Sequence, residues 1–333
     1  VKILSNMNIA EKRLPQDGRM KMKIKLESGK RKDVDMRVSS VPTMFGEKIV
    51  IRILDKEMLN LDMSYLGLEK ESLDVFTRGI QKPWGIILVT GPTGSGKTNT
   101  LYSAISTLNS LEKNIMTAEN PVEFNLAGIN QVDIKEEIGL TFSSSLKSFL
   151  RQDPDIMLVG EIRDFETVDI AIKAAMTGHL VFSTVHTNDA ASTINRLINM
   201  DVEPFLIADS VTMIVAQRLV RRLCQKCRVK QDLTPEALVE IGYTPEEAQN
   251  VTAYKPCGCG ECNNTGYKGR VGLFEVMENT DEIKDLILTR AQSREIRAKS
   301  IDQGMITLRR SGLLKIKQGV TSIEEVLRET MRG

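Results

Sequence analysis

The N-terminal part of the chain is dominated by alternating apolar and polar residues. Three segments carry this pattern, and their apolar positions are Met20, Met22 and Ile24; Val34, Met36 and Val38; and Ile49, Ile51 and Ile53. Because strand side chains point alternately to the two faces of a sheet, the pattern predicts three antiparallel strands with one solvent-exposed face. We expect a turn at Ser28 and Gly29, a helix over residues 1–13, and a domain boundary near Asp62.

After this boundary, short apolar runs alternate with amphipathic helical stretches. The runs are typical of parallel strands buried on both faces, and we predict such strands at residues 86–90, 114–118, 156–159 and 180–184. Helices are predicted at residues 68–80, 143–152, 165–177, 204–224, 281–289, 293–302, 306–318 and 322–331, with one further strand at 273–277. Strands and helices in alternation imply an α/β fold with helices packed against a parallel sheet.

A glycine-rich loop follows the first of these strands. Residues 91–98, GPTGSGKT, match the pattern G-x-x-x-x-G-K-[ST] in full. The glycines let the backbone turn its N–H groups towards one anion, Lys97 can reach the β- and γ-phosphates, and the Thr98 hydroxyl can ligate magnesium. The helix expected after the loop would add its N-terminus to this site. The expected ATP-binding residues are Gly91, Thr93, Gly94, Ser95, Gly96, Lys97 and Thr98.

Polar residues follow three later strands: Glu119, Glu161 and His186. Ligands bind at the carboxyl ends of parallel strands, so we expect these residues near the phosphates. Transfer of a phosphoryl group to water needs an oriented water and charge compensation. We expect Glu161 to hold that water with Glu119 as its partner, and His186 to contact the γ-phosphate. The alternatives are that a glutamate caps a helix or pairs with Arg163, and that His186 is structural.

Five cysteines lie in the last third of the chain. Cys224 and Cys227 form one C-x-x-C pair, and Cys259 and Cys262 form a second. Two such pairs supply the four thiolates that a structural zinc site requires, with no open position for catalysis. Cys257 could replace Cys259 as a ligand, although the C-x-x-C spacing favours Cys259. Free thiols or a redox pair are the alternatives to zinc.

Composition disfavours several classes of protein. With 45 basic and 44 acidic side chains, the chain lacks the basic surplus of nucleic-acid-binding proteins. No apolar run approaches the ~18 residues that span a bilayer, so we expect a cytoplasmic protein without direct membrane insertion. Because the sequence opens on Val1 within a predicted helix, we also expect residues upstream of it.

The motifs together resemble one family, the ATPases that drive type II secretion and type IV pili. The segments that carry the resemblance are TGPTGSGKT, TAENPVE, LRQDPDIMLVGEIRD, TGHLVFSTVHTND and the cysteine pairs ending in NNTGYKGRVG. The resemblance implies a homohexameric ATPase that acts on an inner-membrane platform protein and lies at that membrane through protein partners. It also implies a PAS-like domain over residues 1–62, a RecA-like core over 63–223, a zinc subdomain over 224–275 and a helical region over 276–333.

The resemblance also implies roles for individual residues. An acidic box falls on residues 119–123, the Walker B carboxylate on Glu161 and the histidine box on His186. Arginines of the N-terminal domain that reach the nucleotide fall on Arg37 and Arg52, which the strand pattern alone would leave as solvated sheet residues. Arg218 and Arg221 are weaker candidates for contacts across the subunit junction.

Two features bear on the branch of the family and on its chemistry. The pilus-retraction branch lacks a four-cysteine insert, and the run FNLAGINQV resembles the pilus-extension branch, so we expect a pilus-extension motor, with a type II secretion ATPase as the alternative. Asn120 stands where the family has Asp, which removes one negative charge next to Glu119. This difference leaves open which carboxylate contributes most to catalysis, and it favours Glu161. Outside the motor class, the alternatives are a nucleotide-gated scaffold with little turnover and a small-molecule kinase, for which no acceptor motif is found.

Overall fold

The computed structural model describes residues 1–25, 31–54 and 61–330. The chain divides into two compact units, Val1–Asn60 and Leu61–Gly333. The predicted turn at Ser28 and Gly29 lies outside the described residues. Among the helices of the described part, none is long and apolar enough to cross a lipid bilayer.

The first unit contains the predicted antiparallel sheet. Its strands are β1 (Gln16–Lys25), β2 (Arg31–Thr43) and β3 (Gly46–Leu54), and β2 pairs with both neighbours. A small apolar cluster covers part of one face and consists of Met7, Met20, Val34, Met36 and Val38. The apolar stripe of β3 is not part of that cluster, since Ile49, Ile51 and Ile53 keep 40%, 43% and 63% of their surface exposed.

The helix predicted over residues 1–13 is wrong. Residues 2–6 form a single turn, closed by hydrogen bonds from Ser5 N to the carbonyl oxygens of Val1 and Lys2. Asn6 then adopts a left-handed backbone conformation with φ of 56°. Asparagine tolerates this conformation better than most residues, and it ends a right-handed turn. The chain continues without regular structure and buries Met7 against the sheet.

The second unit is built on a seven-stranded mixed sheet. Its strands are β4 (Gly85–Thr90), β5 (Ile115–Glu119), β6 (Asn130–Asp133), β7 (Ile156–Val159), β8 (Leu180–Val185), β9 (Val211–Leu223) and β12 (Tyr267–Glu278), in the order β12-β9-β4-β8-β7-β5-β6. All pairs are parallel except β12 with β9. Every residue of β4, β7 and β8 is buried, which explains why their unbroken apolar runs identified them correctly.

Twelve helices and a small two-stranded sheet complete the described part of this unit. The helices are α1 (Lys70–Ile80), α2 (Lys97–Leu108), α3 (Phe142–Phe149), α4 (Phe165–Met176), α5 (Ala190–Ile198), α6 (Pro204–Ser210), α7 (Pro235–Glu240), α8 (Pro245–Ala248), α9 (Asp281–Leu288), α10 (Ser293–Asp302), α11 (Leu308–Lys317) and α12 (Ile323–Glu329). The small sheet pairs β10 (Val229–Gln231) with β11 (Ala253–Lys255) in antiparallel fashion, and α7 and α8 lie between them in the chain. Single 3₁₀ turns occupy Met63–Tyr65, Glu136–Ile138 and Gly260–Cys262. The predicted α/β fold is thereby confirmed.

The long helix predicted over residues 204–224 is wrong. Only Pro204–Ser210 is helical, and the chain continues as β9 between β4 and β12. The segment combines several β-branched residues with an almost fully buried run, and both features suit a central strand. The strand predicted at 273–277 is longer than expected because β12 pairs with β9 from Tyr267 onwards.

The start of α12 has only part of a capping box. Ser322 and Glu325 have the spacing of a capping box, in which each side chain accepts a hydrogen bond from the other residue's backbone N–H. Ser322 does accept from Glu325 N at 3.4 Å. The Glu325 carboxylate turns instead to Arg221, which donates to it from both its backbone N–H and its guanidinium at 2.9 and 2.7 Å. The helix therefore has half of the box and an ion pair in place of the rest.

Candidate functional site

The glycine-rich loop forms a compact turn between β4 and α2. Gly91, Gly94 and Gly96 have φ values of 147°, 82° and 88°, a region that side chains with a Cβ atom rarely adopt. A Cβ atom on Gly91 would lie 2.4 Å from the carbonyl oxygen of Gln217, so only glycine fits. The buried Ser95 hydroxyl has no hydrogen-bond partner within the described structure. The loop thus has the shape and the donors expected of a phosphate cradle.

Lys97 begins α2 and folds back over the loop. Its Nζ donates hydrogen bonds to the carbonyl oxygens of Gly91 and Pro92, at 2.8 and 3.1 Å. Burial lowers the pKa of Lys97, and the negative charge of Glu161 opposes that shift, so the two side chains interact electrostatically. The neighbouring Thr98 is exposed, so its hydroxyl is accessible to an ion. The loop and Glu161 follow β4 and β7, the two parallel neighbours of β8, so both lie at the carboxyl edge of the sheet together with Lys97.

Glu161 contacts two further polar residues. Its Oε1 accepts a hydrogen bond from Arg163 at 2.5 Å, and its Oε2 lies 3.2 Å from His186 Nε2. The carboxylate side chain keeps 16% of its surface exposed, whereas His186 keeps 49%. The structure thus brings Glu161 and His186 together at the carboxyl ends of β7 and β8, as the sequence predicted. The ion pair with Arg163, considered as an alternative role for Glu161, is also present.

Glu119 ends β5 in a different environment. It is buried, and Oε1 accepts hydrogen bonds from Thr117 at 2.6 Å and Gln131 at 3.1 Å. Oε2 accepts from the hydroxyl of Tyr102 on α2, at 2.5 Å. Burial and the charge of Glu119 both raise the pKa of Tyr102, so this hydroxyl remains a donor. Both carboxylate oxygens are therefore occupied within the chain, and Glu119 links α2 to the end of β5.

The segment after β8, residues 186–189, is hydrogen-bonded to β4, the strand that directly precedes the phosphate loop. Thr90, the last residue of β4, donates from its hydroxyl to the carbonyl oxygen of Val185 at 2.8 Å and accepts from Thr187 N at 2.9 Å. Arg218 donates to both the backbone and the side-chain oxygen of Asn188, at 3.2 and 3.1 Å. The position of His186 is thus coupled to the phosphate loop.

In the first unit, Arg37 and Arg52 are direct cross-strand partners. Arg19 on β1 is the partner of Arg37 on the other side, so three arginines lie in one row across the three strands. Like charges directly opposite each other in a sheet are unfavourable, and a row of this kind is suited to binding an anion. The sequence identified Arg37 and Arg52 but missed Arg19, which only the strand register reveals.

The four predicted zinc ligands converge. Their sulfur atoms all lie within 4.8 Å of one another, with 3.8 Å between Cys224 and Cys259, between Cys227 and Cys262, and between Cys259 and Cys262. Sulfur atoms about 2.3 Å from a tetrahedral zinc ion lie about 3.8 Å apart. Disulfide bonds need a sulfur–sulfur distance of about 2.05 Å, and all five cysteines are free. Cys257 is exposed and outside the cluster, so the geometry favours Cys259 as the ligand.

Backbone donors surround these sulfur atoms. Cys262 Sγ accepts from the N–H groups of Cys259 and Gly266, both at 3.2 Å, and Cys227 Sγ accepts from Gly258 N at 3.3 Å. Hydrogen bonds of this kind stabilise thiolates and orient them towards a metal. The donor set therefore fits a tetrahedral zinc ion.

Comparison with known proteins identifies the family. The family model for type II/IV secretion system proteins matches residues 1–328. The chain belongs to this family. The type IV pilus assembly ATPase PilB of Myxococcus xanthus is 52% identical over 331 residues, which are 99% of this chain and 58% of the relative. Type II secretion system protein E of Dickeya dadantii is 46% identical over 330 residues, 99% of this chain and 64% of the relative.

The secretion-family chain also matches a solved structure. The pilus retraction motor PilT with bound ADP has a TM-score of 0.66 and 26% identity, over 95% of this chain and 78% of that one. These matches confirm the resemblance drawn from the motifs and the α/β fold. The chain spans between 37% and 58% of the length of four type IV pilus assembly relatives.

In this secretion-family chain, two arginines contact their own chain. Arg218 binds Asn188, as described above, and Arg221 pairs with the buried Glu325. The Arg221 guanidinium also lies over the ring of Tyr267, 4.0 Å from its centroid. Pattern analysis could not find these partners, because Glu325 and Tyr267 are distant from Arg221 in sequence and no motif links them.

Proposed function

We propose that this chain is the ATP-hydrolysing part of a motor for type IV pilus assembly. The observation that carries the proposal is the contact between Glu161 and His186 in the same site as the phosphate loop and Lys97. Relatives named type IV pilus assembly ATPase support it at 47–52% identity, against 44–46% for those named type II secretion system protein E. A type II secretion ATPase is the second candidate.

In this proposal the loop over residues 91–98 binds the phosphates of ATP through its N–H groups. Lys97 exchanges its two loop carbonyl partners for phosphate oxygens, and the exposed Thr98 hydroxyl ligates magnesium. A bound magnesium ion supplies positive charge that offsets the negative charge of the phosphates. The fit rests on the glycine cradle and on the unpartnered hydroxyl of Ser95.

Glu161 is the group that orients the attacking water and accepts its proton. Its carboxylate is partly exposed and already held by Arg163 and His186, so its orientation is fixed before the nucleotide binds. His186 contacts Glu161, and the segment that carries it is hydrogen-bonded to Thr90 at the end of β4. From this position His186 contacts the γ-phosphate of bound ATP. Glu119 acts as a support that fixes α2 against β5, since neither of its oxygens is free.

The remaining parts of the proposal concern the first unit and assembly. Arg37 and Arg52 of a PAS-like domain compensate the phosphate charge, with Arg19 as a third member of their row. Six copies form a ring on an inner-membrane platform protein at the cytoplasmic face. The RecA-like core and the cysteine subdomain transmit the motion, and the cysteine subdomain is held together by zinc at Cys224, Cys227, Cys259 and Cys262.

The first experiment measures magnesium-dependent release of phosphate from ATP by the purified chain, with Lys97→Ala as the inactive control. Turnover in the parent that is lost in the variant supports the motor. ATP binding without turnover would favour a nucleotide-gated scaffold, and turnover that requires an added acceptor would favour a kinase. Deleting the gene then separates the two motors: loss of surface pili supports pilus assembly, and loss of secreted proteins supports type II secretion.

A further inference from the structure

A fully buried carboxylate lies in the main sheet outside the nucleotide site. Glu275 on β12 has no exposed surface. Its Oε1 accepts a hydrogen bond from Ala190 N at 2.9 Å, and its Oε2 accepts from Leu308 N at 3.3 Å. Ala190 is the first residue of α5, and Leu308 is the first residue of α11. One side chain thus caps the N-termini of two helices that are distant in sequence.

Retaining a carboxylate at such a position is costly. Burial raises the pKa of Glu275, the nearby charge of Asp189 acts in the same direction, and the charge of Arg297 opposes them. Free helix N–H groups and the positive end of each helix dipole offset part of this cost. An apolar residue would pack in the sheet without the penalty, so the carboxylate indicates a requirement to hold both helix ends.

One of the two helices is continuous with the His186 segment. Ala190 directly follows Asp189, whose side chain caps α5 by accepting from Ser192 N at 2.7 Å. The segment over residues 186–189 is already attached to Thr90 and Arg218, both beside the phosphate loop. Glu275 provides a third attachment. It lies on the edge strand β12, which β9 and β4 separate from β8, and it also binds the N-terminus of α11.

We propose that Glu275 is a positioning residue for the His186 segment and fixes that segment relative to the N-terminus of α11. The inference rests on the proposed ATP hydrolysis, because its effect is exerted through His186 and Glu161. If the N-terminus of α11 moves, the Glu275 carboxylate moves with it. The N-terminus of α5 then either moves with the carboxylate or loses its hydrogen bond to it. The N-terminus of α11 is thereby connected, through Glu275 and the start of α5, to the segment that carries His186.

The test is Glu275→Gln in the full chain. An amide has one acceptor oxygen, and its NH₂ group cannot accept from a helix N–H, so one of the two caps is lost. We expect kcat for ATP to fall about tenfold, because small misplacements of catalytic groups cost factors of this size. The KM for ATP should stay within about twofold, because no contact of Glu275 involves the phosphate loop.

Ser311→Ala is the matched control. Ser311 lies fully buried on the same helix α11, donates to Glu69 at 3.0 Å and accepts from Phe274 N at 3.3 Å. Its loss should lower the melting temperature without changing kcat. Equal kcat values for Glu275→Gln and the parent would overturn the inference, as would an equal fall in the Ser311 variant. An inactive parent would instead contradict the proposed function.

A second variant serves if Glu275→Gln does not fold. Ala190→Pro removes the backbone N–H that donates to Glu275 and leaves the carboxylate and α11 in place. Proline is favoured at the first position of a helix, and Asp189 already has the extended backbone that a following proline requires. The same fall in kcat with little change in KM is expected, and an unchanged kcat would overturn the inference.

Discussion

His186 Nε2 lies 3.2 Å from Oε2 of Glu161, although the two residues follow different strands. The strands β7 and β8 are parallel neighbours in register, with Val159 opposite Ser183, so their carboxyl ends bring the two side chains to one edge of the sheet. Arg163 holds the other carboxylate oxygen. Glu161 is therefore oriented from two sides, which is what a group that must position a water requires.

Replacing Glu161 with Gln should abolish most of the ATP turnover. The amide keeps the size of the side chain and one acceptor oxygen, but it cannot take a proton from water. We expect turnover to fall by about 10²-fold or more, the range typical of a lost general base, while ATP binding is retained. Phosphate release and nucleotide titration measure the two effects separately.

Glu166→Gln is the control for this prediction. Glu166 lies in the first turn of α4, five residues after Glu161, but it pairs with Lys147 at 2.6 Å. Both side chains of this pair are more than half exposed. Its substitution should leave turnover unchanged. A Glu161 variant as active as the parent would remove the catalytic assignment and return this residue to a simple ion pair with Arg163.

Replacing Arg52 with Ala should reduce turnover without destabilising the fold. Arg52 is exposed and directly opposite Arg37, so removing it relieves a like-charge contact in the sheet. If its guanidinium offsets phosphate charge, we expect turnover to fall at least about tenfold. The control is Lys48→Ala, on the same face of β3, which should change neither activity nor melting temperature. Unchanged kinetics in the Arg52 variant would make it an ordinary solvated residue.

The sequence predicted elements best where one physical factor dominated. The runs that became β4, β7 and β8 are buried throughout, so their apolar character alone identified them. Ile207, Val211 and Ile214 fit a helical period, yet only Ile207 lies in a helix, α6. From Val211 onwards the chain is strand β9, because β4 and β12 offer it hydrogen-bond partners on both sides. That choice is made by tertiary contacts, which no local pattern contains.

In the candidate site, too, some residues were predictable from the sequence and others depend on tertiary contacts. The loop glycines, Glu161 and His186 were predictable because their motif and strand ends define their positions. The partners of Glu119 were not, since Tyr102 and Gln131 come from a helix and an edge strand that meet only in the fold. Glu275 was missed for the same reason: a glutamate in an apolar strand carries no local signal for the two helices that it caps.

Removing one predicted ligand should release zinc from the cysteine cluster. We expect one zinc ion per chain in the purified parent, and loss of zinc with a lower melting temperature in Cys259→Ser. Elemental analysis and thermal unfolding measure the two effects. Cys257→Ser is the control, because Cys257 is exposed and outside the cluster, and it should keep its zinc. A parent without zinc, or a Cys257 variant that loses it, would contradict the assignment.

The ion pair between Glu247 and Arg310 should make stability depend on pH. Arg310 on α11 donates to both carboxylate oxygens, at 2.8 and 2.5 Å, and lowers the pKa of Glu247 from 4.5 to about 2. A carboxyl group whose pKa is lower in the folded than in the unfolded state stabilises the fold above its ordinary pKa. That stabilisation is lost as the pH falls through the folded value.

We therefore expect Arg310→Gln to be less stable than the parent at pH 7, and the difference to shrink as the pH falls from about 4.5 towards 2. Because both side chains are partly exposed, the difference at pH 7 should be about 1 kcal/mol or less. Denaturant unfolding at several pH values measures it. Lys284→Gln is the control, since its partner Asp281 is 94% exposed and should give little difference at any pH. A difference for Arg310 that stays constant down to pH 3 would show that Arg310 stabilises the fold by packing rather than by its charge.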